Sequence, residues 1–206
     1  MAIATWSHRF FPDHSARKAA GGKPRGFTLL ETLLALGLSA TLLGTLFPVY
    51  WHVTRGALLA HEHSIGTMLA TQRLEQLRAL TFRFDEGVTG PERVTDFATD
   101  LSGAAAAQGG PGLSPSPASA LLVSTRGYVD YLDAQGRWVG NDVSPPAEAA
   151  FVRRWAVTPS LAAPEDGLLL QVLVSALGAE RRNGPRTDAT RRPGDVWLTL
   201  FRSRVL

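Results

Sequence analysis

Charge disappears from the chain for twenty consecutive positions, Thr32 to Trp51, and apolar side chains fill most of them. Counted from Phe27 the stretch has 25 residues. As a helix rising about 1.5 Å per residue it extends roughly 37 Å, more than the roughly 30 Å of a bilayer's hydrocarbon layer. A membrane-spanning helix over 27–51 is predicted. Pro48, near its end, removes the bond to the carbonyl of Gly44 and crowds that turn, so a bend or local melting is expected there. Gly37 to Thr41 and Ala40 to Gly44 are small-residue pairs spaced four apart, which lets helices approach closely.

Beyond Trp51 the pattern becomes amphipathic. Ile65, Met68 and Leu69, then Leu74, Leu77 and Leu80, recur at three- and four-residue spacing, and Glu75 and Arg78 stand three apart on the polar side. Joined to the apolar run, this predicts one helix of about 54 residues, roughly 80 Å long. The helical pattern stops around Asp85-Glu86-Gly87, and 102–119 is rich in Gly, Ala, Pro and Ser with no charge, which reads as a flexible loop. Strand patterns follow at Leu121–Ser124, Tyr128–Leu132, Arg137–Val139, Phe151–Val157, Leu168–Leu177 and Val196–Phe201, with Asp133-Ala134-Gln135-Gly136 as a hairpin turn. Short connections favour an antiparallel sheet, and a long helix covering one face makes the fold class α+β. The predicted segments are 1–26 as a basic leader, 27–51 as the membrane half of the helix, 52–84 as its amphipathic half, 85–119 as a flexible loop and 120–206 as an antiparallel sheet head.

At 206 residues and 45% hydrophobic content, the chain holds one ordinary domain plus a membrane segment. It has no cysteine, so an exported head relies on packing and sheet hydrogen bonds. The net charge of +3 is local in origin. Arg9, Arg17, Lys18, Lys23 and Arg25 stand against Asp13 in residues 1–26, and removing these from 21 basic and 18 acidic residues leaves 16 and 17. Positive charge ahead of the apolar helix places the N-terminus in the cytoplasm and the head outside. The apolar run is longer than a signal peptide's and lacks a small-residue cleavage site after it.

One acid interrupts this picture. A carboxylate in the hydrocarbon layer costs roughly 2.5–3.5 kcal/mol on insertion scales, so Glu31 marks a functional position and needs a counterion. A cut between Gly26 and Phe27 would create an ammonium four residues away. The segment Arg25-Gly26-Phe27-Thr28-Leu29-Leu30-Glu31 resembles the processing motif of type IV prepilins and type II secretion pseudopilins. That resemblance implies cleavage after Gly26 by a prepilin peptidase, N-methylation of Phe27 by the same enzyme, and assembly with other pilins or pseudopilins at an inner-membrane platform. It also implies that Glu31 pairs with a neighbour's N-terminal amine, and Pro48 sits where the family often has a helix-loosening proline. Thr71 to Arg78 and Phe151 to Val157 resemble, over a shorter span, the pilus-modification minor pilins and the related I-type pseudopilins.

Other chemistry is sparse. There is no cysteine nucleophile, Gly-x-Ser-x-Gly or His-Glu-x-x-His, so no catalytic residue and no cofactor is expected. His61 and His63 lie two apart, about 200° around a helix, and cannot share a metal ion. Arg181, Arg182, Arg186, Arg191 and Arg192 form a late basic cluster, diluted by Glu180, Asp188 and Asp195 and punctuated by Gly184, Pro185, Pro193 and Gly194. It reads either as a solvated loop or as an anion-binding patch for DNA phosphates, the basis of a DNA-uptake alternative. Trp138 and Trp155 are expected in the core.

Overall fold

The computed structural model describes residues 26–184, 186–188 and 190–205. The chain divides into two compact units, Met1–Tyr50 and Trp51–Leu206.

Helix α1 runs Leu29–Ala79, 51 residues, and its N-terminal part belongs to the first unit. It is long and apolar enough to cross a membrane, and none of its most apolar window is buried. The polar side chains of this part answer the demands of such surroundings locally. The hydroxyls of Thr32, Ser39, Thr41 and Thr45 donate to the carbonyls of Leu29, Ala35, Leu38 and Leu42 at 2.8, 2.7, 2.8 and 3.0 Å. Each donor is therefore satisfied without water. Of the bend or local melting expected at Pro48, the melting does not occur, and the helix continues through the proline. One missing donor is carried by the unbroken ladder on either side.

In the second unit, α1 buries Gly66, Leu69, Ala70, Arg73 and Leu77, one face at helical spacing. Met68, counted in the predicted stripe, is 58% exposed, since the seam is centred on Arg73 instead. The ion pair of Glu75 and Arg78 forms on the exposed side at 3.5 Å. The amphipathic half expected over 52–84 ends at Ala79. Strand β1, Phe82–Gly87, then pairs antiparallel with β2, Gly90–Thr95. This hairpin is held by distant chain: Phe84 N donates to Val205 O at 2.8 Å, and the Arg204 guanidinium sits 4.0 Å from the Phe82 ring.

The flexible loop expected over 85–119 is likewise corrected. It contains most of that hairpin and the two-residue strands β3, Thr99–Asp100, and β4, Ala107–Gln108. Leu101 and Leu113 are core residues, and Leu113 N donates to Asp96 O at 2.7 Å while Ser116 N donates to Val157 O at 2.9 Å. Composition marked this segment as poor in apolar area, yet two leucines and long-range backbone bonds suffice to pack it. Leu121–Ser124 forms turns rather than a strand, with Val123 N donating to Ser119 O at 2.9 Å.

The main sheet contains β5 (Val129–Leu132), β6 (Trp138–Gly140), β7 (Phe151–Pro159), β8 (Gly167–Ala176) and β9 (Val196–Ser203). Its order is β6-β5-β7-β8-β9, antiparallel throughout. Alternation along β7 separates two faces. Phe151, Trp155 and Val157 join Leu69, Leu77, Leu170, Val172 and Val174 in the core beneath α1. Val152 and Ala156 face the other way, onto clusters that include Leu177 and Leu121 respectively. Gly66 permits close contact there, as a Cβ on it would lie 3.0 Å from Val196 Cγ2. The observed architecture is therefore α+β, a long apolar N-terminal helix followed by an antiparallel sheet.

Candidate functional site

Arg25 and the rest of the expected leader, residues 1–25, lie outside the described residues. Gly26 and Phe27 lie one residue, Thr28, ahead of α1, and Phe27 is 83% exposed. A Cβ built on Gly26 meets nothing within 4 Å, so packing does not require glycine at this junction.

Glu31 is part of a local device that the sequence reading missed. Its Oε2 accepts from Thr28 N at 3.3 Å and from the Thr28 hydroxyl at 3.4 Å, while Thr28 Oγ1 accepts from Glu31 N at 3.3 Å. With α1 beginning at Leu29, this is a reciprocal capping box, for which the Thr-x-x-Glu spacing of 28–31 is the sequence signal. The carboxylate also lies where the helix dipole favours negative charge. Glu31 is thus satisfied within its own helix end by Thr28, the residue next to the Phe27 nitrogen that cleavage after Gly26 would free.

The head is fastened by buried ions. Asp130 on β5 receives Arg153 Nε at 3.0 Å and Nη2 at 2.7 Å, and also Arg73 Nη2 from α1. Arg73 Nη1 donates to Leu101 O, and its guanidinium lies 4.3 Å from the Trp155 ring centre. Arg153 Nη1 reaches back to Leu69 O at 3.0 Å and to Gln72 Oε1 at 3.1 Å. Burial pulls the Arg73 pKa down to about 10, Asp130 opposes that shift and Arg153 reinforces it. The segments 71–78 and 151–157 therefore meet at one place, joined through Arg73, Arg153 and Trp155.

The late arginines do not form one patch. Arg181 and Arg182 lie on the short helix α2, Leu177–Asn183, and are exposed. Arg186 is buried, paired with Asp195, 3.3 Å from Ser175 Oγ and bonded to Thr190 O at 3.0 Å. Arg154 from β7 grips Glu180 of α2 at 2.6 and 3.0 Å. Arg191 Nε donates to Asp195 O at 3.3 Å, and Arg192 Nη1 to Gly184 O at 2.9 Å. Arg186 leaves the cluster expected over 181–192, because Glu180 and Asp195, six and nine residues away along the chain, draw it inward, while Arg181, Arg182 and Arg191 stay exposed. Trp155 is core as expected, whereas Trp138 is 39% exposed and anchors by donating Nε1–H to Ser102 O at 3.2 Å.

Among the described residues no group of three or more His, Cys, Asp or Glu side chains is arranged to hold a metal ion. No family model, curated protein or solved structure matches the chain.

Proposed function

We propose that this chain is a structural subunit of a type IV pilus-like filament, of the minor pilin kind. The observation that carries the reading is a membrane-length helix whose only acid within the apolar stretch is Glu31 in its first turn, directly after an open Gly26–Phe27 junction. Hydrolysis of that peptide bond by a prepilin peptidase leaves a carboxylate on Gly26 and an amine on Phe27, which is then methylated. Before assembly the chain is a single-pass inner-membrane protein with its N-terminus in the cytoplasm and its head outside. In surroundings of low effective dielectric the Phe27 ammonium and a neighbouring subunit's Glu31 attract far more strongly than in water. Their pairing sets axial register, while Leu29, Leu30, Leu33, Leu34, Leu36 and Leu38, all exposed, supply apolar adhesion between helices. Because Glu31 bonds to Thr28 in the isolated chain, pairing in the fibre draws on a carboxylate already positioned at the helix end.

N-terminal sequencing of mature protein tests this reading. The expected first residue is monomethylated phenylalanine, Phe27, and any other start overturns the assignment. Gly26→Leu, which meets no steric obstacle in the fold, is expected to retain the leader in intact-mass spectrometry; normal maturation of that variant would also refute it. A type II secretion pseudopilin would share this N-terminal physics and differ in its machine, which neighbouring genes identify. With Arg186 committed to Asp195, the DNA-uptake alternative would rest on Arg181, Arg182, Arg191 and Arg192, and salt-dependent DNA retention lost on their neutralisation would favour it.

A further inference from the structure

The chain contains two asparagines, Asn141 and Asn183, and the fold treats them in opposite ways. Asn141 directly follows β6, its Nδ2 donates to Ser102 Oγ at 3.0 Å, and the next residue, Asp142, carries a side chain. Asn183 is the last residue of α2 and is exposed, and its side-chain amide has no hydrogen-bond partner among the described residues. Gly184 follows it with φ 72°, and a Cβ built there meets nothing within 4 Å. The neighbouring Arg182 gives no cover, because its Nη1 lies 3.6 Å from a Cβ built on Gly178 and the guanidinium therefore folds back toward the start of the helix.

An asparagine amide directly ahead of a glycine faces an internal nucleophile. The Gly184 nitrogen, once it has given its proton to solvent hydroxide, attacks Cγ of Asn183. The N–Cγ bond forms as the Cγ–Nδ2 bond breaks, and the leaving nitrogen takes a proton from water and departs as ammonia. Water then opens the cyclic imide, at the side-chain carbonyl to give aspartate or at the main-chain carbonyl to give isoaspartate. The sum is one water consumed and one ammonia released, with no oxidant or reductant. Glycine hinders this closure least, since it has no Cβ and its backbone turns freely. A helical Asn183 keeps the Gly184 nitrogen away from Cγ, but the last residue of a helix leaves that conformation at almost no cost, because the final carbonyls have no intrahelical partner and helix ends fray.

We propose that Asn183 is a site of spontaneous deamidation, so that the folded head acquires a carboxylate at the end of α2 as the molecule ages. The same spacing at Asp166-Gly167 is held shut. Asp166 accepts from Arg93 Nε and Nη2 at 2.8 and 3.3 Å, and the Gly167 nitrogen is committed to Ala163 O at 2.8 Å. At Asn183 the new charge lands where the helix dipole favours Arg181 and Arg182 and disfavours an anion. Isoaspartate also adds a methylene to the main chain and displaces Gly184 O, the acceptor of Arg192 Nη1 at 2.9 Å. Loosening stops at this turn, since Arg154 still grips Glu180 and Arg186 still holds Asp195.

The test incubates the full chain in detergent micelles at mildly alkaline pH in heavy-oxygen water and maps the products by tandem mass spectrometry, with the capped peptide Glu180 to Arg186 as an unfolded reference. Asn183 is expected to convert to aspartate and isoaspartate, each carrying one solvent oxygen, at a rate within about tenfold of the peptide, because a helix end opens at almost no cost. Asn141 is expected to react about tenfold more slowly or less, since its amide is hydrogen-bonded. On cation exchange an earlier-eluting species is expected to accumulate with time in the parent chain and not in Asn183→Gln, whose longer arm disfavours the ring. The proposal is overturned if Asn183 stays intact while the peptide converts, if Asn141 reacts as fast, if aspartate forms without isoaspartate, or if Asn183→Gln accumulates the same species. Cleavage after Gly26 plays no part in the reaction, so this site and the filament reading fail separately.

Discussion

Asp130 is bonded to two buried guanidinium groups, and replacing it by Asn isolates what that arrangement contributes. The side chain is fully buried, as are Arg73 and Arg153, and it accepts three charged hydrogen bonds. Asparagine keeps the shape but offers one acceptor oxygen and an NH2 group that faces guanidinium donors. Removing one member of a buried pair destabilises by about 3–5 kcal/mol, since the remaining charge loses its counterion and keeps its desolvation penalty. For a chain of about this size each kcal/mol moves the midpoint by roughly 2–4 °C, so a fall of roughly 6–20 °C is expected. Near-ultraviolet circular dichroism in a thermal ramp reports it, because Trp155 lies against Arg73. The triple variant Arg73→Met, Asp130→Leu, Arg153→Met is expected to recover most of the loss, as apolar replacements of whole buried ion clusters often do. A midpoint for Asp130→Asn within about 1 °C of the parent would refute the idea that this cluster holds α1 on the sheet.

Two further outcomes follow from the same reasoning. Glu31→Gln preserves a capping side chain but removes the charge, whereas Thr28→Val breaks the capping box and keeps the charge. If pairing with a neighbour's amine drives assembly, filament content measured in sheared fractions falls for Glu31→Gln and largely survives Thr28→Val, and the opposite ranking would show that Glu31 acts as a helix cap alone. Asp96 is held below its ordinary carboxylate range first by the Thr99 hydroxyl and also by the amides of Ala98 and Thr99. A depressed folded pKa contributes stability present above the unfolded value of about 3.9 and lost as pH falls through the folded one. Amide exchange of Ala98 and Thr99, corrected for intrinsic rates, is therefore expected to accelerate below about pH 4, and pH-independent protection would argue against this turn.

The long helix and the strands β5 to β9 were legible because period and length are local properties: an uncharged run of twenty residues and the alternation of Phe151 to Val157 need no knowledge of the rest of the chain. The Thr28–Glu31 cap is local as well, and its signal is the Thr-x-x-Glu spacing directly ahead of an apolar run. The β1–β2 hairpin was not legible, since Arg204 and Val205 hold it from more than a hundred residues away. The fate of the arginines was hidden for the same reason. Arg186 and Arg181 are equivalent as letters, and only the placement of Asp195 buries one and leaves the other exposed.

By itself the sequence determined a membrane-length helix with one acid at its head, an amphipathic continuation and an antiparallel sheet, because hydrophobic periodicity acts over a few residues. Tertiary structure alone decided which charges are structural and which asparagine stays unrestrained. Burial, pairing and strand order are relations between distant residues, and their energies exist only once the chain has brought those residues together.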